Sequence, residues 1–284
     1  MERYQYRPGK KDRGLLLAIG LYALPALILA FIFQLLPIYK ALEYSFFKIN
    51  LMSGSRIFVG LRNYVAAFSD ERFLGSLATT FRYFIMRVPL QMAIGFLLAL
   101  LIYKPRRWTI PMRTVILLPV VTSMVAATAI LGLMMHPSNG LFNALLQVIG
   151  LPPQGFLTDP GQALWSIVFI TVWKNVGLTM LFFLAGLLAI PPSLYEAAVM
   201  DGASAVQKHL FVTVPLLRKT FAFVAMTTTI RAFQVFGPIL MTTAGGPRDA
   251  TRVVVMDIYD NAFVYNQMGY ASALSVILAL VLIV

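Results

Sequence analysis

Hydrophobic residues along this chain gather in six long blocks, separated by stretches that hold most of the charge. The blocks cover 14–36, 77–103, 111–135, 163–189, 220–241 and 268–284. A hydrocarbon core about 30 Å thick needs about 20 residues of helix, so each block reads as a membrane span. The last is the shortest and is still apolar at Val284, where a continuing helix and then a cytoplasmic tail are expected. The first block exceeds the roughly 7–15 apolar residues of a signal peptide, so no cleaved leader is expected. The pattern predicts an all-α polytopic membrane protein of six transmembrane helices, with one domain (14–284) behind a basic tail (1–13).

Composition sharpens this reading. Residues AVILMFWYC make up 59% of the 284 and charged residues only 12%, with a mean hydropathy of +0.79. A soluble domain is nearer half apolar and a quarter charged. Too little polar side chain is present to coat a soluble globule, which excludes soluble enzymes and disordered chains. Cys is absent, which removes thiolate chemistry, and His136 and His209 stand too far apart in sequence for a His-based metal site. The net charge of +12 sets topology rather than binding nucleic acid.

Basic residues concentrate in alternate connections. Arg3, Arg7, Lys10, Lys11 and Arg13 precede the first block; Lys104, Arg106, Arg107 and Arg113 lie between the second and third; Lys208, Arg218 and Lys219 lie between the fourth and fifth. The other connections carry five, none and two over a much greater length. By the positive-inside rule the N-terminus is cytoplasmic. Residues 38–76 are expected as a long outside segment. Within 136–162, the apolar run 141–149 is too short to span and reads as a re-entrant or interfacial helix.

The segment 190–218 has the most local structure written into it. Ser193-x-x-Glu196 reads as a capping box, Ala197 and Ala198 extend a helix, and Asp201-Gly202 ends it. Ser204-x-x-Gln207 reads as a second capping box, and Pro215 precedes the fifth block. Two short helices around a glycine turn are predicted. By these features alone they could be an interfacial connector.

The same residues resemble a known motif. Glu196-Ala197-Ala198, three residues, Gly202, nine residues, then Val212-Thr213-Val214-Pro215 is similar to the EAA loop of ATP-binding-cassette (ABC) import permeases. The carbohydrate branch is resembled also in Phe58-Val-Gly-Leu-Arg-Asn-Tyr64, Val172-Trp173-Lys174, Gly245-Gly246-Pro247 and Gly269-Tyr270-Ala271-Ser272, in order along the chain. The resemblance implies a type I ABC importer permease fold, a multi-pass protein of a prokaryotic cytoplasmic (inner) membrane. It also implies its partners: a second permease subunit, related but different; two ATPase subunits; and an extracytoplasmic binding protein delivering a sugar or oligosaccharide. Glu196, Ala197, Ala198, Asp201 and Gly202 would contact the ATPase, and for Glu196 this role competes with helix capping. No G-x-x-x-x-G-K-[ST] phosphate loop occurs, so the chain is read as a non-catalytic subunit without a bound cofactor, its partner using ATP and Mg.

Lys174 and Arg231 fall near the middle of two blocks, where a cation costs about 2.5–3.5 kcal/mol and must face an interior or wet cavity. Trp173, Asn175, Gln234 and Asn143 are suited to sugar recognition by stacking and amide bonds. The family's mid-membrane sugar site, carried over, implicates Trp173, Lys174, Asn175, Arg231, Gln234, Tyr270 and Ser272. The alternative is that Lys174 and Arg231 only hold helices together. Arg82 and Arg87 are expected to snorkel at the outer end of their span. Two centred cations also admit an anionic solute such as a glycerol phosphate or a uronate. An ion-coupled secondary transporter would need intramembrane carboxylates, and none falls within the six blocks.

Overall fold

The computed structural model describes residues 10–49, 54–104 and 106–283, with side chains from Gly20 onward. Most of the basic tail, including Arg3 and Arg7, lies outside the described residues, as does Val284.

The first helix is continuous from Lys10 to Ser45, nine residues beyond its expected end. A π-turn over Phe31–Leu35 precedes Pro37, which has no N–H for an i−4 bond; the wider turn lets the helix pass the proline. The expected outside segment 38–76 is therefore largely helical. It contains the end of this helix, an antiparallel hairpin of β1 (Phe47–Ile49) and β2 (Arg56–Phe58), and a helix Arg62–Ser69. Asn63 Nδ2 donates to the carbonyls of Ser45 (2.8 Å) and Phe47 (3.1 Å), and the Tyr64 hydroxyl donates to Ser45 Oγ (2.6 Å). The motif 58–64 thus clasps the end of the first helix.

The second span, Glu71–Ile102, begins six residues earlier than expected because Asp70 caps it, accepting from Arg72 N–H at 2.9 Å. The fourth, Ala163–Leu188, lies at the centre and is the most buried of the long apolar helices. Hydroxyl and amide pairs lock the second and fourth spans side by side at matching depths: Tyr83 to Thr171 and Gln91 to Thr179, both at 2.8 Å.

Two spans depart from straight helices. The third is two helices, Thr109–Val121 and Met124–Met134, meeting at 100° rather than one crossing over 111–135. Pro119 removes one ladder donor, and Thr122 and Ser123 then adopt extended ψ of 156° and 139°. The fifth runs Arg218–Phe233, pauses at Gln234–Phe236 and resumes at Gly237–Thr242 with Pro238 in its first turn. The sixth is Met268–Ile283. Among the described residues four helices are long and apolar enough to cross a membrane, the bent pair makes a fifth, and Met268–Ile283 is shorter.

The run 141–149 forms the helix Leu141–Val148. Asn143 within it is buried and fully engaged: it donates to Pro137 O (2.8 Å) and Gln154 O (2.9 Å) and accepts from Gln154 N–H (2.8 Å). It pins the loop and is not free for a solute.

Candidate functional site: the 190–218 loop and the buried cations

Between the fourth and fifth spans a helix runs Pro192–Met200. It does not begin with the expected capping box. Pro191 is held extended by the proline after it, and Pro192 takes the first helical position, where a missing N–H costs nothing. Ser193 is therefore already inside the helix, and no side chain caps this end. Glu196 is released from capping: its side chain is exposed and makes no hydrogen bond or ion pair among the described residues.

The other end follows the predicted stop. Gly202 sits at φ 75°, with Gly202 N–H bonded to Val199 O (3.0 Å) and Ala203 N–H to Ala198 O (2.9 Å). This left-handed closure favours glycine. Ser204 and Gln207 form the reciprocal capping box expected of them. Thr213, fully buried, then ties the two short helices together through the Tyr195 hydroxyl (3.0 Å) and His209 Nδ1 (3.1 Å). Ile190 and Leu217 anchor the loop in the core around Leu187 and Phe183. The result is a small rigid body continuous with the fourth and fifth spans. Its surface carries exposed Val206 and Phe211, apolar groups that call for a covering partner, and Val199 and Met200, which line a cleft toward the second span.

The candidate solute-pathway residues do not share one environment. Lys174 is buried, and its Nζ donates to Val120 O at 2.9 Å. That carbonyl belongs to the last turn before the break in the third span, so the ammonium satisfies a helix end. Gly177, one turn on, allows the approach: a Cβ there would lie 2.5 Å from the Ile116 carbonyl. Gly177→Leu is accordingly expected to push the helix Thr109–Val121 away at a cost of about 1–3 kcal/mol. A melting temperature equal to wild type would exclude that packing.

Asn175 is back-bonded to Thr171 O (2.8 Å), the Tyr270 hydroxyl donates to Asp70 (2.8 Å), and Ser272 is buried. Trp173, Arg231 and Gln234 are exposed, Arg231 in the last turn before the break in the fifth span and Gln234 at its start. Arg87 departs from its expected snorkelling position. It is buried, its Nε donating to Gln91 Oε1 and its Nη1 to Arg231 O (both 3.2 Å), and it lies 5.7 Å from the Tyr83 ring centroid. Inside the bundle it can reach backbone that a position near the end of its span could not.

Residues 64–284 match the protein family described as "Binding-protein-dependent transport system inner membrane component". The chain belongs to this family. It is 35% identical over 266 residues to the probable ABC transporter permease YurN of Bacillus subtilis, covering 92% of this chain and 90% of that one. It is 34% identical over 264 residues to the sulfoquinovosyl glycerol transport system permease SmoG of Agrobacterium fabrum, covering 93% and 85%. Among solved structures, the bacterial ABC transporter described as importing the acidic polysaccharide alginate superposes with a TM-score of 0.82. The match is 24% identical and covers 96% of this chain and 92% of that one. The type I permease fold and the multi-pass character follow from these likenesses together with the apolar helices.

In this permease one charged cluster was not anticipated from sequence. Arg252, buried, donates from Nε to Asp257 at 2.5 Å and pairs with Asp260, while Arg72 stands 3.8 Å and 3.9 Å from the same two carboxylates. The cluster binds the segment between spans five and six to the start of span two. Burial pushes the Asp257 carboxyl above its ordinary value, against the pull of Arg252. Its signal was available: two acids and a cation at i, i+5 and i+8 within the apolar stretch 252–264.

Proposed function

We propose that this permease is one of two membrane subunits of an ATP-driven importer for a sugar or oligosaccharide. An extracytoplasmic binding protein delivers the solute, and two partner ATPases using ATP and Mg drive its passage. The N-terminus and the 190–218 loop face the cytoplasm, a reading supported by the placement of lysine and arginine. The observation that carries this reading is the loop itself: a rigid two-helix body, joined to two spans, with Glu196 and an apolar surface unengaged. Such a body can transmit a rigid-body movement into both spans. Glu196, Ala197, Ala198, Asp201 and Gly202 would form the ATPase contact. The need for a second permease is supported by the first helix, which over Gly20–Ser45 has none of its apolar window buried within the chain. A carbohydrate cargo is supported by the relative named for sulfoquinovosyl glycerol. For the membrane-embedded candidates the reading divides: Trp173, Arg231 and Gln234 are free to meet solute, whereas Lys174, Asn175, Tyr270 and Ser272 support the walls.

Reconstitution tests the proposal. The permease, purified with its partner permease and ATPases and placed in vesicles with the binding protein, should accumulate the ligand that the binding protein retains, only with ATP and Mg. Uptake driven by an ion gradient without ATP would sink the reading.

A further inference from the structure

A cleft of about 760 Å³ separates the 190–218 loop from the end of the second span. One wall is apolar: Leu100, Leu101, Leu187, Val199 and Met200. It continues along the second span through Leu97 and Leu101, one turn apart, each more than 60% exposed on the outside of the helix. The mouth is basic. Lys104, Arg106 and Lys208 line it, and none of their charged groups has a hydrogen-bond or ion-pair partner among the described residues. His209 lies beside them, its Nδ1 against Thr213. Glu196 is the one acidic residue in the lining. Arg113 adds a further cation nearby, where its Nη2 donates to Ile102 O at 3.0 Å and its Nε is buried without a partner.

This juxtaposition has a specific chemistry. A cluster of cations against a single carboxylate attracts a phosphate, but a free phosphate has no use for five apolar side chains. Basic pockets between membrane helices on the cytoplasmic side suit anionic lipid headgroups, and each cation near such a surface adds about a fivefold gain in affinity. An acyl chain would lie along Leu97 and Leu101 while the headgroup phosphate meets Lys104, Arg106 and Lys208. We propose that this cleft is a binding site for an anionic phospholipid, seated between the coupling loop and the second span. The placement rests on the cytoplasmic orientation proposed above. A lipid there touches both Val199 of the loop helix and Leu100 of the span, so its presence bears on how firmly the loop is held.

Photolabelling of the whole purified importer tests the site. The complex is placed in nanodiscs of phosphatidylcholine containing a minor fraction of photoreactive phosphatidylglycerol, or photoreactive phosphatidylcholine as control, and crosslinked peptides are mapped by mass spectrometry. Phosphatidylglycerol should label the peptides bearing 100–106 and 195–209 at least fivefold more than phosphatidylcholine. The variant Lys104→Gln/Arg106→Gln/Lys208→Gln should lose that preference, whereas the Arg106→Lys variant keeps it. Equal labelling by the two lipids overturns the proposal, as does a triple variant that labels like wild type. Displacement of the label by excess inorganic phosphate would assign a free-anion site instead. Loss of co-purifying ATPase from the triple variant, with labelling unchanged, would assign the cations to a protein contact. Labelling requires no transport, so its failure leaves the importer reading standing, and a failure of uptake leaves the labelling result standing.

Discussion

Replacing Arg252 with leucine is expected to cost about 3 kcal/mol of stability. Removing one partner of a buried pair strands the other charge where water cannot reach it. Here two acids are stranded: Asp257, 2% exposed, and Asp260, 13% exposed at its side chain. Arg72 approaches both but is 42% exposed and no closer than 3.8 Å, so it compensates only in part. The measurement is the melting temperature of the solubilised protein across pH. Asp257 already has a raised pKa in the folded state, and loss of Arg252 raises it further. A group of this kind favours the fold when protonated, and that contribution is lost as pH rises through the folded value. The deficit of Arg252→Leu should therefore shrink as pH falls. The variant that also carries Asp257→Leu and Asp260→Leu should recover most of the loss, because an apolar replacement of the whole cluster leaves nothing uncompensated. A single variant as stable as wild type at neutral pH would show that the cluster does not hold the segment 245–265 to span two.

The contrast between spans three and four shows what hydropathy can and cannot reveal. Residues 163–189 are apolar apart from Lys174, Asn175 and a few hydroxyls, and the helix Ala163–Leu188 ends within one residue of the block. Residues 111–135 are just as apolar, yet the helix turns through 100° at Thr122–Ser123. Hydropathy sums transfer free energies and is blind to direction; the bend depends on one missing N–H at Pro119 and two extended residues. Lys174 was legible as a cation needing company, but its partner is a backbone carbonyl, which no side-chain pattern encodes. The same applies to Arg87, whose Nη1 bonds the Arg231 carbonyl beside the other interrupted span. Lys174 and Arg87 thus both sit at helix ends that the breaks expose, where the negative end of the helix dipole favours them. In the 190–218 loop, Gly202 and the Ser204 box were readable because each is a local rule, while Ser193 was misplaced because two consecutive prolines set the helix start first.

Glu196→Lys and Gly202→Val should each abolish coupling, reducing binding-protein-stimulated ATP hydrolysis and uptake by tenfold or more while the protein inserts normally. The two act by different routes. Glu196 is exposed and has no partner within the chain, so reversing its charge should change stability by no more than about 0.5 kcal/mol. Any loss of coupling in this variant must arise at a contact outside the chain, which is what the ATPase assignment demands. Gly202 acts through the backbone. No atom lies within 4 Å of the position a Cβ would take, so sterics against neighbours are absent. The whole penalty is the left-handed φ of 75°, about 1–2 kcal/mol for a β-branched residue. Valine relieves that strain by re-aiming the turn between the two short helices, which moves the loop helix relative to the spans. Gly202→Asn, which tolerates the left-handed region better than other residues, should retain more coupling than valine. The decisive pair is stimulated ATPase rate against melting temperature. Full stimulation in Glu196→Lys would remove Glu196 from the ATPase contact, and equal behaviour of asparagine and valine at 202 would remove the conformational role of the glycine.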